Sequence, residues 1–120
     1  AKPWEFVDAF AARDARRCLS LLGRMESTSV HALMAMCATR LRELVCARSM
    51  IDRGNARGIA AALKAPEWRV KNHAVWARGF SAAELRAALV SARDAERAMK
   101  SGADADAVFL EWALRVMAKR

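Results

Sequence analysis

Residues Trp76–Leu89 read "WARGFSAAELRAAL", and the way this stretch turns decides what kind of molecule the chain makes. Ser81 and Glu84 are spaced S-x-x-E, the signature of a capping box, in which each side chain bonds the other residue's backbone N–H. Phe80 stands just before the cap and Leu85 at the fourth helical position, the pair that forms a hydrophobic staple. Gly79 falls just past a preceding helix, where a left-handed residue closes a Schellman turn, and Phe80 can then reach back to Val75. The spelling predicts a corner between two helices, with Arg78 on a helix edge and Arg86 just past the staple.

Composition supports helices throughout. Alanine supplies 28 of the 120 residues while Gly and Pro together supply 7, and Tyr is absent. Alanine loses no side-chain entropy in a helix and lets helices approach closely. The expected fold is all-α, a compact bundle of about six to seven helices forming one domain over residues 1–120. The chain opens Ala1-Lys2-Pro3 without an initiator Met, so it reads as the C-terminal fragment of a longer protein.

Pro3 suits a first helical turn, and Asp14 suits the cap of a second helix carrying Cys18, Leu19, Leu22 and Met25, with Gly23 inside it. Ser27–Ser29 offers caps for the longest helix, about Val30 to Arg53, ended by Gly54 and Gly58. A short helix from Ile59 to Lys64 stops before Pro66, because the residue before proline leaves the α region. The fifth helix, "PEWRVKNHAVWARG", puts Trp68, Asn72, Val75 and Trp76 on one side, which predicts buried tryptophans. The sixth runs from about Ala82 to Ser101 and is closed by Gly102. Asp104 or Asp106 caps the seventh, expected to continue to the C-terminus.

The seventh helix speaks most about partners. Glu111, Arg115 and Lys119 share one narrow side, and the apolar remainder is wider than a surface helix needs to cover a core. Two readings stand: a central helix, or one with a flank facing another subunit. On the second, Leu110, Trp112, Leu114 and Met117 form the partner-facing set.

The net charge of +8, with a pI near 10.4, is compatible with nucleic acid, but it divides evenly along the chain. A stand-alone basic helical DNA-binding domain is therefore the alternative class. A helix-turn-helix would need polar base-reading residues where Trp68 and Val70 stand. Three cysteines without a CxxC pair exclude a zinc ribbon and a disulfide frame, and suit a reducing, cytoplasmic setting. His31 and His73 sit in no metal motif. There is no P-loop, nucleophile elbow or apolar run of membrane length. No cofactor or metal is expected, and a small enzyme is the weakest reading.

From Pro66 onward the sequence resembles the C-terminal domain of the delta subunit of bacterial DNA polymerase III, part of the clamp loader. The resemblance is carried by "PEWRVKN" at 66–72, "ARGFSAAEL" at 77–85, and "ERAMKSG" at 96–102 followed by "FLEWAL" at 109–114. Glu96 stands where the family usually has Asp. Asp14 to Met25 and Leu33 to Ile51 look like the two preceding helices.

The resemblance implies the collar domain that joins delta to the other loader subunits in a ring during DNA replication. It implies no catalytic residue in this domain and a clamp contact made only through absent N-terminal modules. Any DNA contact by this domain would be weak or indirect. It gives Trp68, Trp76, Gly79, Phe80, Ser81, Glu84 and Leu85 the role of holding the corner. Lys100 and Glu111 are matched polar positions, expected in a structural ion pair.

Overall fold

The computed structural model describes residues 1–25 and 27–119. Seven α-helices follow one another: α1 Pro3–Ala11, α2 Ala15–Leu22, α3 Val30–Asp52, α4 Ile59–Leu63, α5 His73–Arg78, α6 Ala82–Lys100 and α7 Ala105–Met117. Two 3₁₀ turns, Ala56–Gly58 and Glu67–Val70, precede α4 and α5. Among the described residues there is no strand.

The long α3 is the spine, against which α1, α5, α6 and α7 pack. Its inner face repeats Leu33, Cys37, Leu41 and Leu44 at three- and four-residue spacing, all buried. Phe6 and Phe10 of α1 meet Phe109 and Trp112 of α7 across the core, with Phe10 and Trp112 stacked at 5.4 Å. Alanines at the crossings (Ala47, Ala77, Ala92, Ala113) are buried and keep the helix axes close.

Caps fix the helix starts as local spelling dictates. Asp14, Ser29 and Asp104 each accept from the backbone N–H three residues on. Gly54 and Gly102 take positive φ just past α3 and α6, a conformation in which a Cβ would be strained.

Several boundaries differ from expectation. α2 ends at Leu22, with Gly23 as its cap and not inside it. α4 stops one residue short, because Lys64 itself adopts the left-handed conformation at φ 54°. α7 ends at Met117 with Ala118 extended; Arg120, within the predicted helix, lies outside the described residues.

The largest correction is to the fifth helix. Pro66 is extended, Glu67–Val70 is a 3₁₀ turn, and α-helix begins only at His73. The inward residues are Val70, His73 and Ala77, while Trp68 is 74% exposed and Val75 is 68% exposed. Trp68 therefore holds no part of the corner. The helical wheel picked the largest apolar side chains. Packing against α3 instead selected small ones, and a histidine that α3 could partner.

Candidate subunit interface and the corner that supports it

The corner begins with the capping box. The Glu84 amide donates to Ser81 Oγ at 3.0 Å, and the Ser81 amide donates to Glu84 Oε1 at 2.9 Å. Phe80 and Leu85 are both buried in the common core, as a staple requires. Gly79 departs from expectation, with φ −78°, so no left-handed Schellman residue exists here. The chain turns instead by tight bonds, from the Gly79 amide to the Trp76 carbonyl and from the Phe80 amide to Ala77. With Val75 facing solvent, Phe80 turns inward and does not reach back to it.

A residue that sequence reasoning passed over completes the corner. Arg13, between α1 and α2, takes φ 60° and carries its guanidinium inward, its side chain only 5% exposed. Nη1 donates to the Gly79 carbonyl at 2.6 Å, and Nη2 donates to Glu84 Oε2 at 3.1 Å. Nε donates to the Met117 carbonyl at 3.2 Å, and Nη2 also reaches the Ala118 carbonyl. The same guanidinium lies 4.5 Å over the Phe80 ring. One cation thus caps the C-terminal carbonyls of α7 and ties them to the α5–α6 corner. The capping amide of Ser81, and after it Arg13, hold the Glu84 carboxyl below its ordinary pKa.

A second polar cluster fixes α5 to α3. Glu43 accepts from Arg69 at 3.3 Å, lies 3.7 Å from Arg40, and sits 2.7 Å from Nε2 of the fully buried His73. Arg40 also pairs with Asp8 at 2.9 Å and lies over the half-buried Trp76 ring at 4.7 Å. Nδ1 of His73 has no partner among the described residues. His73 drew attention in the sequence only as a residue without a motif, because its partner Glu43 lies thirty residues away.

On α7 the four residues read as partner-facing separate. Trp112 and Met117 are core residues of the chain itself. Trp112 Nε1 donates to Ser91 Oγ at 3.0 Å, and the Met117 sulfur lies 3.6 Å from Cys18 Sγ. Leu110 and Leu114, one turn apart, are half-buried. The wide apolar stripe is thus turned mostly into the chain's own core, with Leu110 and Leu114 half-buried at one edge. Away from these two leucines, a groove of about 590 Å³ opens between α6 and α7, walled by Ala83, Ala87, Ser91 and Val116.

The matched polar positions also separate. Glu111 pairs with Arg115 on its own helix, and exposed Lys100 makes no ion pair among the described residues. Among the described residues no three His, Cys, Asp or Glu side chains gather as metal ligands would. Burial pushes the Cys18 thiol up to about 12 and raises Cys37 as well, which leaves both protonated and inert.

Polar groups at these places fasten helices to one another, which defines a helical packing domain in class. The chain belongs to the family described as DNA polymerase III delta subunit, C-terminal domain, whose profile matches residues 2–116. Its fold is that of the Bacillus subtilis DNA clamp loader delta protein (YqeN), with a TM-score of 0.82 at 21% sequence identity. That similarity covers 98% of this chain and 36% of the Bacillus chain, so the chain spans about a third of that protein's length. No curated protein matches it.

Proposed function

We propose that this domain is the oligomerisation (collar) module of a DNA polymerase III delta subunit, holding it in the clamp loader that places the sliding clamp on DNA. The observation that carries this reading is the family match over residues 2–116. The domain acts by assembly and supplies no catalytic group, cofactor or metal. Its partners are the other loader subunits, and the sliding clamp is engaged through the N-terminal part of the longer delta chain. The setting is the bacterial cytoplasm, in keeping with a chain in which no described helix is long and apolar enough to cross a membrane.

Leu110 and Leu114 are the residues proposed to meet a neighbouring subunit, since they are half-buried leucines one turn apart, at the edge of the apolar face of α7. The corner and the Arg13 contacts set the position of that edge. The double substitution Leu110→Lys, Leu114→Lys should abolish co-purification with the other loader subunits while helical circular dichroism is unchanged. Undiminished co-purification would refute this interface. The stand-alone DNA-binding reading is not favoured.

A further inference from the structure

Two sets of cations in this chain differ in what they face. Arg13, Arg40 and Arg69 are drawn against Glu84, Asp8 and Glu43. A second set projects from α3 and α6, which pack side by side. On α6 the exposed residues include Arg86, Arg93, Arg97 and Lys100. Helix geometry confines these four to a sector of about 60° and spreads them over about 21 Å. On α3 the exposed Arg42 and Arg53 lie within about 20° of each other.

A cleft of about 300 Å³ joins the two helices, with Arg48, Ser49 and Arg53 on one wall and Arg86 on the other. The carboxylates near this face are few. Asp52 is held by Arg48 at 2.6 Å, Asp94 by Arg97 at 3.4 Å, and Glu96 is half-buried. Arg42, Arg53, Arg86, Arg93 and Lys100 make no ion pair among the described residues.

Two kinds of polyanion fit such a ridge, an acidic protein face or a nucleic-acid backbone. A protein interface centres on aromatic or aliphatic anchors. Here the one large exposed apolar side chain on α6 is Val90, and the exposed tryptophans, Trp4 and Trp68, lie on other elements. The lack of an aromatic on the ridge also argues against stacking on bases. Guanidinium forks match phosphate oxygens in pairs, which suits a row of phosphodiesters. We propose that the α3–α6 face binds the DNA backbone without regard to sequence, through Arg42, Arg53, Arg86, Arg93 and Lys100. This stands apart from the assembly role, because it is read on this chain alone.

The test is binding of the chain to a fluorescent duplex of random sequence between 50 and 200 mM salt. About four phosphate contacts give a log–log slope near −3.6, an affinity loss on the order of a hundredfold across that range. The variant Arg53→Glu, Arg86→Glu, Arg93→Glu should bind at least tenfold more weakly at 50 mM salt and show a shallower slope. A control with the same charge change on other exposed positions, Arg16→Glu, Arg17→Glu, Arg24→Glu, should lose no more than about threefold. All six side chains are exposed, and circular dichroism checks that both variants fold. Equal losses in the two variants would reduce the effect to net charge and overturn the proposal. So would absence of binding by the unmodified chain at 50 mM salt. Unchanged DNA binding, with loss of co-purification by the ridge variant, would assign the face to an acidic protein and overturn it too.

Discussion

Two adjoining pieces of the chain, Pro66–Arg78 and Gly79–Leu89, look equally rich in signal as sequence, yet they are built in opposite ways. The second is held by interactions between near neighbours, Ser81 with Glu84 and Phe80 with Leu85. The first is held by partners far away in sequence, Glu43 on α3 for His73 and Arg69, and Arg40 for Trp76. Local spelling can specify the one and not the other. A capping box needs three intervening bonds to be right, whereas a buried histidine needs a whole helix to arrive with its carboxylate.

Arg13 is where this contrast breaks down, since it lends a long-range clasp to the locally specified corner. Arg13→Ala removes bonds to three backbone carbonyls and to Glu84 from a side chain that is almost fully buried. It should cost about 3 kcal/mol in urea unfolding. Because residue 13 has a left-handed backbone, Arg13→Gly should be milder than Arg13→Ala by about 1 kcal/mol. Equal losses would mean that the backbone conformation is not strained there.

Ser81→Ala removes only the local half of the corner and should cost about 1 kcal/mol. A neutral result would show that Arg13 alone positions Glu84. The acid side of the stability curve sharpens the same point. The folded-state pKa of Glu84 is lowered, so its contribution is complete above the unfolded carboxylate value of 4.5 and fades as pH falls through the folded value. Glu84→Gln should therefore flatten the loss of stability below about pH 4.

The smallest effect belongs to the misleading segment. Trp68→Ala touches an exposed side chain and should stay within about 0.5 kcal/mol of the parent. A loss of several kcal/mol would restore Trp68 to the corner from which its exposure removes it.

These differences explain what could be read beforehand. The all-helical architecture, the caps at Asp14 and Ser81, and the stripe of α3 all rest on spacings of three and four residues, which a sequence displays directly, while Ser29 and Asp104 are each one among alternative caps. The inward turn of Arg13 depends on a left-handed residue between two helices and on carbonyls more than sixty residues away. The burial of Trp112 and Met117 depends on Phe10 and Cys18 in the first two helices. A helix seen alone shows that its apolar stripe is too wide, but not which flank the rest of the chain will cover.

Leu110 and Leu114 of α7 are proposed to join this domain to neighbouring subunits. That contact is measured most directly by the mass of the complex formed when the chain is mixed with the other clamp-loader subunits, read by size exclusion with light scattering. The unmodified chain should co-migrate with them, and the Leu110→Lys, Leu114→Lys chain should elute alone with unchanged helicity. Co-migration of the doubly substituted chain, or elution of the unmodified chain by itself, would contradict the claim.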